Sequence, residues 1–232
     1  MKKVIFPIII LFLAASNSIA QVDYQISSAL DLFRANKMAT GDFSQTIAEE
    51  NIDGSPYLNN DFINGTIFTT SKLQYVDIPL RYNIFNDAIE FRTNDNKIMA
   101  MATPEIIERV TFGDYEMVYA PFAVQKKIKR GFFKVILSGT ISLYARPEIL
   151  YQQPEEPGAY KEAKPARFVN KADTYFLRNG LSEAIKVDKK KDLINFFPEH
   201  NDEIETFIKK NKIKTNKEEG LKELVEYYNS NF

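Results

Sequence analysis

Residues 65–92 read GTIFTTSKLQYVDIPLRYNIFNDAIEFR, and their reading decides the fold. Ile78, Leu80, Tyr82 and Ile84 alternate with Pro79, Arg81, Asn83 and Phe85, the period-2 pattern of a half-buried strand. Asn86-Asp87 follows, and both residue types tolerate the left-handed conformation of a two-residue hairpin turn. Such a turn sets Ile84 against Ile89, Asn83 against Glu90, Tyr82 against Phe91 and Arg81 against Arg92. The apolar pairs then share one face and the polar pairs the other, with Glu90 diagonal to Arg81. Upstream, a turn at Ser71-Lys72 sets Ile67 against Val76 and Phe68 against Tyr75. Pro79 lacks a ladder donor and belongs at an edge or a bulge.

Downstream the strand signals continue. Residues 97–102 read as a strand, Thr103-Pro104-Glu105 as one helical turn, and 109–112 with 115–122 as a hairpin across Gly113-Asp114. Residues 132–137 pair with 140–144 across Ser138-Gly139, and 148–152 continue the sheet. The Pro-rich stretch 153–165 (QPEEPGAYKEAKP) is a surface loop or linker, and 174–177 with 184–187 make a last hairpin. From Asp188 the pattern turns helical and charged. Asp188 caps a helix that Pro198 stops, and residues 202–212 carry Ile204, Phe207 and Ile208 on one side. Thr215 to Glu218 reads as a capping box before the stripe Leu221, Leu224, Val225 and Tyr228. The expected fold class is α+β and mainly β: an antiparallel meander, open or barrel-like, followed by a small C-terminal helical bundle.

The N-terminus reads as an export signal. Lys2 and Lys3 precede the apolar run 4–15, and Ser18-Ile19-Ala20 is a small-x-small cleavage site before Gln21. Removing twenty residues from 232 leaves a mature chain of 212, enough for one sizeable core. The expected organisation is a signal peptide at 1–20, a β-rich domain at 21–187 and a three-helix appendage at 188–232. Within the β-rich domain, 21–61 is a lead-in with turn signals at Gly41-Asp42 and Asp53-Gly54-Ser55-Pro56, and 27–38 fits a short helix as well as a strand. After cleavage no transmembrane segment is expected.

Composition narrows function by exclusion. Losing Lys2 and Lys3 leaves 28 basic against 31 acidic residues, a net of −3, which argues against a nucleic-acid partner. With no cysteine and one histidine, thiol catalysis and ordinary His/Cys zinc sites are out. His200, in Pro198-Glu199-His200-Asn201, reads as an exposed loop residue with no nucleophile motif beside it. No catalytic, cofactor-binding or metal-ligating residue is nominated, and no cofactor is implied. Lys126, Lys127, Lys129 and Arg130 form a basic cluster at a hairpin tip, read as a solvated face. Asn64-Gly65-Thr66 fits a glycosylation acceptor but equally a loop-to-strand junction. The closing Phe232 is the end residue of many outer-membrane barrels, yet the last element here reads as a charged helix.

Three stretches carry a resemblance: LQYVDIPLRYNIFNDAIEFR, the KPARFV and YFL segments, and the closing FIKKNKIKTNKEEGLKELVEYYNSNF. Together they resemble an uncharacterised family of exported proteins of Bacteroidota. The resemblance implies an origin and an export route, and carries over no active site. The expectation is an exported, non-enzymatic binding or assembly protein of the cell envelope, in the periplasm or at the cell surface, partnered by another envelope protein. The alternative is a carboxylate-based hydrolase acting on an envelope or extracellular glycan.

Overall fold

A computed structural model describes residues 23–40, 52–125, 127–157 and 162–232. The export signal at 1–20, Gln21, the Gly41-Asp42 turn, Lys126 and the centre of the Pro-rich loop lie outside the described residues. In chain order, β1 (Gln25–Ser27), α1 (Ala29–Thr40) and β2 (Ile52–Asp53) lead in. Then come β3 (Ile63–Thr69), β4 (Leu73–Asn83), β5 (Ala88–Arg92), β6 (Ile98–Ala100), β7 (Ile107–Phe112), β8 (Tyr115–Val124), β9 (Lys127–Leu137) and β10 (Ile141–Arg146). β11 (Ile149–Gln152), β12 (Ala166–Asn170), β13 (Thr174–Asn179) and β14 (Ile185–Lys186) follow, and α2 (Lys190–Phe196), α3 (Asn201–Asn211) and α4 (Glu218–Asn231) close the chain.

The fold is α+β and mainly β: a curled antiparallel sheet with a helical region at the C-terminal end. Its strands lie in the order β14-β13-β10-β9-β8-β7-β3-β4-β5-β6, with β1 parallel beside β4. The sheet curls until β14 meets β8 again: Ala184 N–H donates to the Pro121 carbonyl, and Ala123 N–H donates to the Ala184 carbonyl. β8, β9, β10, β13 and β14 thus close a small barrel. Phe122, Phe133 and Phe176 fill it, their rings edge to face at 5.0–5.7 Å. The opposite faces of β10 and β13 are also covered, because Ile141, Leu143 and Leu177 pack under the helices against Leu193, Ile204, Leu221 and Leu224. Burial on both faces is why the centres of these strands, Leu143-Tyr144-Ala145 and Tyr175-Phe176-Leu177, are apolar without alternation. The other half of the sheet packs on α1, where Leu32 and Phe33 join Tyr82, Phe91 and Phe132, and Phe33 stacks on Phe91 at 5.3 Å.

The central register differs from the sequence expectation. Leu80 faces Phe91, Arg81 faces Glu90 and Tyr82 faces Ile89, so the pairing slides by two residues and each side chain keeps its face. The loop is four residues long, Ile84 to Asp87, rather than two. Two groups hold it open: the Pro56 carbonyl accepts the Ile84 N–H at 2.8 Å, and Asn83 Oδ1 accepts the Asn86 N–H at 3.0 Å. In the hairpin before it, Ile67 faces Tyr75 and Phe68 faces Gln74, one residue from the expected register. An extra β4 residue at the Gly65/Ile67 irregularity and the left-handed Asp77 (φ 55°) account for that bulge, and Pro79 sits two residues beyond it. Gly65 is required there, since a Cβ would run into the Thr111 carbonyl and come within 2.9 Å of Leu80.

Three further expectations are corrected. Residues 148–152 do not extend the main sheet. Pro147, without an amide donor, ends β10, and β11 pairs instead with β12 and through it β2 in a separate three-stranded sheet. Asp188 does not cap α2; Asp192 reaches back to accept the N–H groups of Lys189 at 2.9 Å and Asp188 at 3.2 Å. The Thr215 capping box does not form either, because α4 starts at Glu218 with Lys217 as its cap residue and no side-chain cap bond. The helices pack on one another and on the sheet, where Asn229 holds both the Ile141 N–H at 2.9 Å and its carbonyl at 2.8 Å.

Candidate functional site

Asp87 ends the β4–β5 loop in a left-handed conformation (φ 51°), which aims its carboxylate at the middle of the curled sheet. Its Oδ1 accepts the Tyr82 hydroxyl at 2.8 Å and the Phe132 N–H at 3.0 Å, and its Oδ2 accepts Arg146 Nη2 at 2.8 Å. Gly131 makes the space for this knot, since a Cβ there would fall 2.5 Å from Asp87 Oδ2 and 3.2 Å from Arg146 Nη2. Burial raises the Tyr82 phenol far above its ordinary value of 10.0, and the Asp87 charge and hydrogen bond push the same way, so Tyr82 stays a proton donor. The Arg146 guanidinium lies over the Phe122 ring at 4.6 Å, at the mouth of the small barrel.

That mouth opens into a shallow cleft of ≈ 390 Å³. Ile84, Phe122, Val124, Pro147, Ile149 and Phe176 make its apolar walls, and Arg146, Glu148, Thr174 and Lys186 its polar rim. Glu148 accepts the Thr174 hydroxyl, and Lys186 pairs with Asp188 at 2.9 Å. Chemically the cleft offers an apolar floor beside a guanidinium already neutralised by Asp87, an arrangement suited to holding a ligand. Asp87 itself, filled by three donors, is a strut. Among the described residues, no group of three or more His, Cys, Asp or Glu side chains is placed to hold a metal ion.

The residues singled out from sequence lie elsewhere. His200 is a half-buried residue closing the 3-10 turn Pro198–His200, not an exposed loop residue; its ring stacks on Phe232 at 3.8 Å and meets Tyr228 edge-on at 5.8 Å. Lys127, Lys129 and Arg130 are exposed at the start of β9, as a solvated face would be. Asn64 is exposed within β3, opposite Pro79. The sequence reading missed Tyr82, Asp87, Gly131 and Arg146 as a group, since Asp87 stands 45 residues from Phe132 and 59 from Arg146 and only the curl unites them.

It also placed Arg81 and Glu90 on the polar face of the hairpin, and that face is covered: they are 8% and 9% exposed. The segment after β2 covers them, with Tyr57 and Phe62 stacked on the Arg81 guanidinium at 3.5 and 4.5 Å. Among the described residues no helix is long and apolar enough to cross a membrane. No family profile, no curated protein and no solved structure matches this chain.

Proposed function

We propose that the protein is an exported, non-enzymatic binding or assembly component of the cell envelope, and that the cleft at the barrel mouth is its recognition site. The observation that carries the reading is the lining: six apolar residues, the ion-paired Arg146 and three further polar side chains in a shallow, open cleft. A hydrolase of the two-carboxylate kind needs a pair of carboxyl groups facing each other across the bond to be cut. Among the described residues that line the cleft, Glu148 is the one carboxylate, so the geometry favours binding. An apolar cleft with a few polar rim groups is the usual form of a small-ligand site.

The test uses the mature chain and N-phenyl-1-naphthylamine, an uncharged probe that brightens in apolar surroundings. Wild-type protein should give saturable brightening, and Ile149→Lys should abolish it while leaving the circular dichroism spectrum intact. Equal signal from both proteins, or none from either, would reject the cleft as the site. Export is checked separately by the N-terminus of protein from the native host, which should be Gln21; a retained Met1 would reject it.

A further inference from the structure

A second pocket, of ≈ 180 Å³, lies on the far side of β4, lined by Gly54, Ser55, Pro56, Tyr57, Asn60 and Arg81. We propose that it is a binding site for a small carboxylate, read by the outer edge of the Arg81 guanidinium. This site is independent of the cleft at the barrel mouth.

Three observations support the assignment. The first is the state of the guanidinium. Arg81 is 8% exposed, and its Nε and Nη2 are committed to Glu90 Oε2, each at 2.8 Å, with Nη2 also donating to the Tyr57 hydroxyl at 2.6 Å. Nη1 has only the Asn60 carbonyl at 3.5 Å, the outer limit of a hydrogen bond. It is the guanidinium nitrogen with the weakest partner on a residue that lines the pocket, and a donor so weakly satisfied gains most from a charged acceptor.

The second is charge. Arg81 and Arg92 lie against the same Phe62 ring at 4.5 and 4.3 Å, with Glu90 as the buried counter-charge. Among the described residues Arg92 makes no ion pair. Arg92 is exposed and stands outside the lining, so the cation that meets a ligand in the pocket is the Arg81 guanidinium, shared with Glu90. Asp53 and Asp61, on the same segment, are exposed and stand outside the lining.

The third is rigidity. The wall is stitched to β4 by Leu58 N–H to the Tyr82 carbonyl at 3.0 Å and by Ile84 N–H to the Pro56 carbonyl at 2.8 Å. The pocket is thus preformed, which spares a ligand the cost of ordering it. At a water's share of ~30 Å³, its volume holds about six waters, the room of an acid of roughly two to four carbons.

Isothermal titration of the mature chain at fixed ionic strength tests the proposal. Acetate or succinate should bind saturably with a Kd of ~1 mM or below. Acetamide, the neutral isostere of acetate, should not bind. Ser55→Leu adds bulk to the lining and removes the hydroxyl's bonds to Asn60 and Tyr57 while keeping the Arg81 guanidinium, and should weaken binding at least ~10-fold. Arg81→Lys should do the same where it folds; the Ser55 variant decides the matter if it does not. Acetylalanine binding in place of the free acids would assign the site to a peptide chain end, still a carboxylate. Equal binding of acetamide, tighter binding of inorganic phosphate, indifference to Ser55→Leu, or no saturation by any carboxylate would each overturn the proposal.

Discussion

Replacing Glu90 by Ala should be among the most destabilising single changes in this protein. A strand position between Ile89 and Phe91 on an alternating pattern invites the opposite expectation, a cheap surface change. The geometry sets the magnitude. Glu90 accepts Arg81 Nε at 2.8 Å and Asn83 Nδ2 at 2.9 Å, its Oε2 also lies 2.8 Å from Arg81 Nη2 in the ion pair, and the pair's side chains are 10% and 11% exposed. At that burial solvent screening is small. Truncation leaves a guanidinium between two aromatic rings without its counter-charge, which costs about 3–5 kcal/mol. Phe91→Ala is the benchmark: a fully buried ring stacked on Phe33, whose loss also costs about 3–5 kcal/mol. Against a total of about 5–15 kcal/mol, either change leaves a marginal protein. Arg81→Met combined with Glu90→Leu should recover most of the loss, because no unpaired charge remains. The chain has no Trp, so urea unfolding at pH 7 is best followed by far-ultraviolet circular dichroism. A Glu90→Ala midpoint corresponding to less than ~1 kcal/mol, the range of an exposed ion pair, would refute the buried-pair reasoning.

Deleting residues 188–232 should give an aggregating or unfolded chain, since it uncovers Ile141, Leu143 and Leu177; a soluble remainder with unchanged stability, seen by size-exclusion and urea melts, would mean the helices are separable. Gly131→Ala should cost about 1–3 kcal/mol and weaken the Asp87–Arg146 pair, because the new methyl meets both side chains; a melt matching wild type would show that the knot yields freely. Stability should fall as pH rises above about 10. There the unfolded chain releases the Tyr82 proton that the buried native phenol keeps, while below that pH this contribution is fully present; Tyr82→Phe should flatten the alkaline slope of the urea midpoint, and an unchanged slope would count against it. His200→Ala should leave probe binding at the cleft unchanged, since His200 packs on Phe232 and Tyr228 and lies outside the lining; loss of binding in a folded variant would reopen the non-enzymatic reading.

Much of the architecture is local and therefore legible. Strand alternation around Tyr82, the Gly113 turn (φ 53°) and the Leu221-Leu224-Val225 stripe are set within a few residues of themselves. What escapes is whatever depends on distant cover. The β4–β5 loop is widened by the Pro56 carbonyl, which belongs to a segment with a turn signal but no helix or strand period. Likewise Asp192, not the expected Asp188, caps α2, because the cap is chosen by where the chain leaves Val187 at the sheet edge. The site is least legible of all. Asp87, Gly131 and Arg146 have ordinary neighbours in sequence and acquire a role only when the sheet closes on itself.

The register error has a specific physical cause. The expected and observed pairings differ by two residues, so both bury Ile89 and Phe91 and both leave Glu90 on the other face. Apolar burial is nearly blind to that choice; it punishes a slip of one, not of two. The polar face decides. In the expected register Arg81 opposes Arg92 and Asn83 opposes Glu90. In the observed one Arg81 opposes Glu90, and Asn83 remains close enough to donate to it at 2.9 Å. Covering that face with Tyr57 and Phe62 turns a weak surface preference into a large one, because like charges facing each other without water cost far more than in solvent. A buried ion pair that adds little net stability over an apolar replacement can still select one register among those the apolar pattern allows. By this argument the Arg81→Met, Glu90→Leu chain keeps its stability but loses that selection, and its β4–β5 amides should exchange hydrogen faster than those of β8 and β9, where eight consecutive pairs fix the register independently.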